Sequence, residues 1–117
     1  MSSGAPGIHP DWLAASGLFQ CLSAPLRIGI IALLAERPHT VSDLVAALDA
    51  PQPLISQHLR VLRESCLVDG VRTGRVTTYA LMDEHVAHIV RDGIAHAAEH
   101  DPHVPRTEHS KPRKDPS

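Results

Sequence analysis

The spacing of apolar residues changes abruptly after residue 66, and this change limits the folds open to the chain. Before it, four apolar residues recur at the three- and four-residue intervals of an amphipathic helix: Ile55, Leu59, Leu62 and Cys66. After it, the β-branched residues and two glycines of 67–81 (LVDGVRTGRVTTYAL) predict two strands joined by a turn at Thr73-Gly74. Another helix is predicted just before this one, and two helices joined by a three- to four-residue turn and followed by such a hairpin describe a winged helix-turn-helix domain.

Other helices are predicted on both sides of this pair of elements. The first occupies residues 11–23, and the second begins near Pro25 with so many apolar residues that we expect it at the centre of the core. The third begins at Thr40, whose spacing from Asp43 resembles a capping box. The final helix is expected to start near Asp83.

We therefore predict a mainly α (α+β) fold, a winged helix-turn-helix with a two-stranded wing, in one domain over residues 11–101. Residues 1–10 are rich in Gly and Pro and are expected to form a flexible arm, and residues 102–117 a disordered polar tail. The chain has no run of about 18 apolar residues. It also lacks a signal-peptide pattern, and its two cysteines lie far apart, so we expect a cytoplasmic protein without a membrane partner.

Charge is distributed unevenly along the chain. The formal net charge of -2 argues against nucleic acid, yet residues 54–80 carry four arginines against two acidic residues. The second helix of a helix-turn-helix lies in the major groove, where Gln can pair with adenine, and wing arginines can meet phosphates. The residues of this helix that are expected to be exposed, together with the two wing arginines, are the predicted contacts with operator double-stranded DNA: Gln52, Ser56, Gln57, His58, Arg60, Arg63, Arg72 and Arg75. The alternative is that Arg60 and Arg63 only form the solvated face of a surface helix.

Three stretches resemble the ArsR/SmtB family of metal-responsive repressors. They are CLSAPLRI at 21–28, PQPLISQHLRVLRESCLV at 51–68 and GRVTTYAL at 74–81. The second carries the Ser-x-His-Leu-x-x-Leu pattern of that family's recognition helix, and the third resembles its wing. The resemblance covers roughly residues 12–100 and implies a homodimeric winged-helix repressor, with long terminal helices, that releases DNA when metal binds.

The final helix is rich in histidine, with four of the nine histidines in residues 82–100. Positions on an α-helix advance by about 100° and 1.5 Å per residue. One stripe of this helix therefore carries His85, Asp92, His96 and Glu99. His85 and His96 are nevertheless about 16 Å apart along the axis, whereas a metal–nitrogen bond is about 2 Å long. The two ends cannot hold one ion within a single chain.

A second, antiparallel copy of the helix would solve this geometry. Two-fold symmetry would bring Asp83 and His85 of one chain to His96 and Glu99 of the other, giving two equivalent four-ligand sites. The spacing of these four residues, Asp83-x-His85-x10-His96-x2-Glu99, is similar to the C-terminal-helix motif of zinc sensors in the ArsR/SmtB family. Two carboxylates and two imidazoles suit tetrahedral Zn(II), and Co(II) also fits. Ni(II) would need more ligands, for which the tail offers His100, His103 and His109.

Each proposed ligand also has an ordinary explanation. Asp83 would serve as an N-cap, Glu99 as solvated surface, and either histidine as an interface residue. The resemblance further implies that an N–H of His96 contacts a backbone carbonyl near Cys66, at the end of the recognition helix. The family's other metal site uses cysteines at the start of the third helix, where residues 39–45 have none.

The sequence leaves three other functions open besides zinc sensing. One is a Ni(II) or Co(II) sensor that uses the tail histidines, and another is a redox-responsive regulator that uses Cys21 and Cys66. Both cysteines are, however, predicted to be buried packing residues. The third is a protein-interaction module with a winged-helix fold. An enzyme is least favoured, because no nucleophile–base pair or phosphate loop is recognisable and a closed four-ligand site leaves no position for water.

Overall fold

The computed structural model describes residues 7–103, which form five helices and three strands. In chain order these are α1 (Pro10–Cys21), α2 (Pro25–Glu36), β1 (His39–Thr40), α3 (Val41–Leu48), α4 (Gln52–Glu64), β2 (Val68–Thr73), β3 (Val76–Leu81) and α5 (Glu84–His100). The predicted winged helix-turn-helix is confirmed. Most of the predicted flexible arm and disordered tail, namely residues 1–6 and 104–117, lies outside the described residues.

Local hydrogen bonds fix the starts of the helices where the sequence places them. The capping box at α3 is complete, because Thr40 Oγ1 accepts from Asp43 N (3.1 Å) and Asp43 Oδ2 accepts from Thr40 N (3.0 Å). The bond from the Thr40 backbone lowers the pKa of the Asp43 carboxyl. At α5, Asp83 Oδ1 accepts from Val86 N at 3.2 Å, so Asp83 is the N-cap.

Helix α2 lies at the centre of the core, as its composition predicts. It packs against α3, α4, α5 and β3. The largest completely buried side chains come from α2, α3 and α4, namely Ile30, Ile31, Leu44, Ile55, Leu59 and Leu62. The three helices of the domain centre are thus held together by aliphatic packing.

The prediction that Cys66 extends the buried stripe of α4 is wrong. The helix ends at Glu64, and Cys66 is exposed with a left-handed φ of +60°. Its N–H donates to Arg63 O (3.0 Å), and Leu67 N–H donates to Leu62 O (2.9 Å), which together form a Schellman motif. This turn sends Leu67 into the core in place of the cysteine. The other cysteine, Cys21, is buried as predicted, and both thiols are free.

The wing contains one strand more than expected. Strands β2 and β3 pair antiparallel from Val68–Leu81 to Thr73–Val76, which leaves a two-residue loop with Gly74 at φ +66°. β1 adds to the other edge of β3, with His39 opposite Tyr79. The expected two-stranded wing is therefore part of a three-stranded sheet. Strand β1 could not be predicted, because a strand of two residues shows no alternation of apolar and polar residues in the sequence.

Helix α1 contributes to the core only at its C-terminal end, where Cys21 is buried. Three large apolar side chains on the same helix are more than half exposed: Trp12, Leu13 and Phe19. Within residues 7–103 no single helix is long and apolar enough to cross a membrane; α1 and α2 reach that length only together, across a 96° bend.

Candidate nucleic-acid interface and metal site

The exposed face of α4 presents most of the residues predicted to contact DNA. The helix buries its apolar stripe and leaves Gln52, Gln57, Arg60 and Arg63 exposed on the surface. Arg60 and Arg63 line a shallow depression together with Glu64. Ser56 and His58 are half-buried, so the prediction that these two are exposed is corrected.

His58 is half-buried because it is bonded to another helix. Its Nδ1 accepts a hydrogen bond from Arg27 Nε of α2 at 3.1 Å. Burial, and then the positive charge of Arg27, lower the pKa of the imidazole. The contact with Arg27 was not predicted from sequence, since the two residues lie 31 positions apart.

An open groove, lined by polar side chains and by Val41 and Val76, separates the wing from the starts of α3 and α4. It brings together Gln52 and Arg75, two predicted DNA contacts from different elements. Sequence reasoning missed the other polar residues that line it: Thr40, Ser42, Thr77 and Tyr79. Alternation along β3 was the signal that could have found Thr77 and Tyr79, because every second side chain of a strand points to the same face.

The two wing arginines differ in position. Arg72 Nε donates to Gly74 O at 3.1 Å, so the Arg72 side chain lies along the tip of the wing. Arg75 lines the groove instead. Both are exposed and flank the tip as expected. Guanidinium and hydroxyl groups are the common donors to phosphate oxygens, so the groove has the chemistry to hold a nucleic-acid backbone.

The first half of the predicted metal site lies at the start of α5. Asp83 Oδ1 is 3.6 Å from His85 Nδ1, and the two side chains are 53% and 89% exposed. Asp83 also serves as the N-cap, the alternative role that the sequence suggests for it. A carboxylate has about four acceptor sites, and capping therefore leaves room for a second partner.

The second half lies near the end of the same helix. His96 and Glu99 are both exposed, and the His96 ring stacks on His100 with centroids 4.3 Å apart. His100 Nδ1 also lies 2.9 Å from the carbonyl oxygen of His96. Helix α5 is unbroken from Glu84 to His100, so the rise per residue separates His85 from His96 by about 16 Å.

One protomer does not assemble a metal site from its described residues. Within residues 7–103, no three His, Cys, Asp or Glu side chains lie close enough to hold an ion. The structure brings Asp83 close to His85 and places His96 and Glu99 one turn apart, without bringing the two pairs together. The other tail histidines fall beyond the helix: His103 bonds to Asp101, and His109 is outside the described residues.

An apolar groove runs beside α5. It is lined by residues of α1, α2 and α5 and the turn after α1, namely Phe19, Leu22, Ile28, Ile89, Val90, Gly93, Ile94 and Ala97. Ile89 lies about 40° around the helix from His85. The groove therefore adjoins the stripe that carries the predicted ligands.

Comparison with known proteins places this chain among transcriptional regulators. Residues 24–69 match the family described as bacterial regulatory protein, arsR family. The chain is 50% identical over 86 residues to the HTH-type transcriptional repressor SmtB of Mycobacterium tuberculosis strain H37Rv, a match that covers 74% of this chain and 64% of that protein. It is 35% identical over 89 residues to the HTH-type transcriptional regulator KmtR of the same strain, covering 76% and 68%.

A solved structure supports the same fold. The homodimeric winged helix-turn-helix DNA-binding domain of a possible ArsR-family regulator from Mycobacterium bovis superposes with a TM-score of 0.71 at 22% identity, covering 92% of this chain and 99% of that chain. The chain spans only 64% of the length of the SmtB repressor that it matches. These relatives are transcriptional regulators rather than enzymes, in agreement with the prediction from sequence. The chain belongs to the ArsR/SmtB family of winged helix-turn-helix transcriptional regulators.

Proposed function

We propose that this chain is a homodimeric, zinc-responsive transcriptional repressor, which binds operator DNA without metal and releases it when Zn(II) binds. One observation carries the proposal. The unbroken helix α5 presents His85 at one end and His96 and Glu99 at the other on one exposed stripe, and Asp83, its N-cap, lies 3.6 Å from His85. The names of the SmtB and KmtR relatives support the regulatory part of the proposal.

Under this proposal, a second copy of the chain covers the apolar groove beside α5. Trp12, Leu13 and Phe19 are 64%, 61% and 57% exposed on α1, and Phe19 also lines the groove beside α5. Contiguous exposed apolar surface marks an interaction site. A two-fold axis beside α5 would cover the groove and set two ligand stripes side by side in opposite directions.

The N-cap carboxylate and the three side chains on the stripe fit a zinc ion. Asp83 and His85 of one protomer would hold it together with His96 and Glu99 of the other, a set of two oxygens and two nitrogens. Bound there, the ion would supply a cross-link between the protomers. A set of four protein ligands also leaves no open position for a reacting water, which suits a sensor better than an enzyme.

Helix α5 is joined to the recognition helix through α2. It packs against α2 and β3, and α2 packs in turn against α4. Arg91 Nη2 of α5 donates to Ala35 O near the end of α2 at 3.2 Å. A change in the pairing of the two α5 helices would thus move α2 and α4 relative to the second protomer. Metal and DNA affinities would then be linked negatively and by the same factor in both directions.

A Ni(II) or Co(II) sensor is the second candidate. His100 is stacked on His96, and His103 follows within one turn beyond the helix, so additional imidazoles lie near one half of the site. Ni(II) takes more ligands than the four that Zn(II) uses. The absorption spectrum of the Co(II)-loaded protein reports the coordination number and separates a four-coordinate site from a larger one.

Zinc is expected to weaken operator binding by roughly 5- to 150-fold, the usual range of such couplings. Electrophoretic mobility shift or fluorescence anisotropy with operator DNA, at fixed salt and with or without Zn(II), measures this factor. His88→Ala should show the same zinc response as the unmodified protein, because His88 is an exposed histidine of α5 outside the four-residue set. Equal operator affinity with and without zinc would contradict the proposal, and release by an oxidant instead would favour the redox alternative.

The predicted DNA contacts are expected to be of two kinds, those that bind phosphate and those that read a base pair. Arg75→Ala should weaken operator and unrelated DNA alike and reduce the salt slope by about 0.9, because Arg75 is placed to contact phosphate. Gln52→Ala should instead cost about 1–3 kcal/mol only at the base pair that Gln52 reads. Affinity titrations at several salt concentrations on operator variants distinguish the two. A sequence-specific loss for Arg75→Ala would contradict this assignment.

A further inference from the structure

We propose that Arg27 is a positioning residue for DNA recognition, which ties α4 to the junction of α1 and α2 and fixes His58 in the tautomer that carries its proton on Nε2. The inference rests on the proposed DNA-binding function and is independent of the metal. It assigns to His58 an oriented N–H donor on the recognition helix, and to Arg27 the task of holding it.

The Arg27 side chain joins three helices. Its Nη1 donates to Cys21 O at 2.9 Å and lies 3.8 Å from Cys21 Sγ, and its Nε donates to His58 Nδ1 at 3.1 Å. Cys21 is the last residue of α1 and is buried. A carbonyl in the last turn of a helix has no partner within that helix, and the guanidinium satisfies this one.

The donor inventory of the two side chains decides the tautomer. A guanidinium has five N–H donors and no acceptor, so the imidazole nitrogen that faces Arg27 must accept. Since Nδ1 accepts, the neutral ring of His58 carries its proton on Nε2. Burial and the charge of Arg27 lower the pKa of the imidazole, which favours the same neutral form.

The consequence for recognition follows from the place of His58 on α4. It lies next to Gln57, which is exposed on the face predicted to enter the groove. A neutral imidazole with a fixed Nε2–H is a single oriented donor, suited to a phosphate oxygen or to an acceptor on a base edge. Lys cannot replace Arg27, because a single ammonium on a flexible stem does not reproduce the guanidinium fork that serves Cys21 O and His58 Nδ1 together.

Nitrogen-15 NMR of the full-length protein tests the tautomer without any DNA. In histidine-labelled protein at pH 7.5, we expect the two-bond proton–nitrogen pattern of His58 to show the proton on Nε2. In Arg27→Met, we expect a mixture of tautomers. A proton on Nδ1 in the unmodified protein, or an unchanged pattern in Arg27→Met, would overturn the proposal. Should Arg27→Met not fold, Arg27→Lys serves as the second variant, with the same expectation.

Operator affinity tests the consequence for recognition. His58→Asn keeps an acceptor near the position of Nδ1 but removes the Nε2 donor, so it should retain the thermal midpoint while weakening operator binding by roughly tenfold. Arg27→Met should weaken binding similarly, and the two changes together should cost little more than one.

Arg37→Met is the matched control, because Arg37 is an exposed arginine at the end of α2 that donates to a backbone carbonyl, Pro38 O at 3.4 Å, and lies outside the predicted DNA contacts. In this variant, the tautomer of His58 and the operator affinity should both stay unchanged. Additive losses for the Arg27 and His58 variants would overturn the proposal. If the unmodified protein binds no operator at all, the proposed DNA-binding function fails, while the NMR pattern still decides whether Arg27 orients His58.

Discussion

Two variants that each lack zinc sites are expected to regain one site when they are combined in a mixed dimer. The first variant is Asp83→Asn/His85→Ala, and the second is His96→Ala/Glu99→Gln. Each homodimer should bind no stoichiometric Zn(II), because every site retains only two ligands. The mixed dimer should bind one ion, which is half the content of the unmodified dimer.

The expectation follows from the geometry of α5. If each site takes one pair of ligands from either protomer, a mixed dimer has one site without any of its four ligands and one site with all of them. If a site were built within one protomer, both chains would be damaged, and mixing would restore nothing. The distance of about 16 Å along the helix axis is the reason to expect the first outcome.

The substitutions are chosen to leave the fold intact. Asn is as good an N-cap as Asp, so Asp83→Asn keeps the bond to Val86 N and removes only the charge. His85, His96 and Glu99 are exposed on α5, and Ala is the best helix former among the replacements. The mixed dimer can be isolated with two different tags, and its zinc content measured by competitive titration. A mixed dimer without zinc would contradict the intersubunit site.

Features governed by neighbouring residues could be predicted from the sequence. The capping box of Thr40 and Asp43, the N-cap at Asp83 and the turn at Gly74 each depend on interactions within a few positions. The central place of α2 followed from its lack of a polar face. The ligand stripe was equally accessible, since helical periodicity alone aligns His85 with His96.

Features governed by distant contacts could not be predicted. Strand β1 exists only because β3 offers a free edge to two residues. The exposure of Cys66 depends on a helix-ending turn that usually takes glycine, so the apolar period continued past the true end of α4. His58 was expected to face solvent because periodicity does not reveal that Arg27, in another helix, bonds to it.

Phe19→Glu is expected to convert the protein into a folded monomer and to lower operator affinity by roughly 10²- to 10⁴-fold, the range by which linking two binding modules raises affinity. Phe19 is 57% exposed and lines the apolar groove beside α5, so the substitution leaves the core of one protomer undisturbed. A carboxylate at this position would have to lose its hydration when a second copy covers the groove.

The neighbouring substitution Gln20→Glu supplies the control. Gln20 is exposed on the same helix but does not line the groove, and it would add the same negative charge. Analytical ultracentrifugation should therefore give a monomer for Phe19→Glu and a dimer for Gln20→Glu, and circular dichroism should show that both variants are folded. The monomer should also lose stoichiometric zinc, because His96 and Glu99 of a second copy are no longer within reach of Asp83. A Phe19→Glu protein that stays dimeric would place the interface elsewhere, and a monomer that keeps its stoichiometric zinc would contradict the intersubunit site.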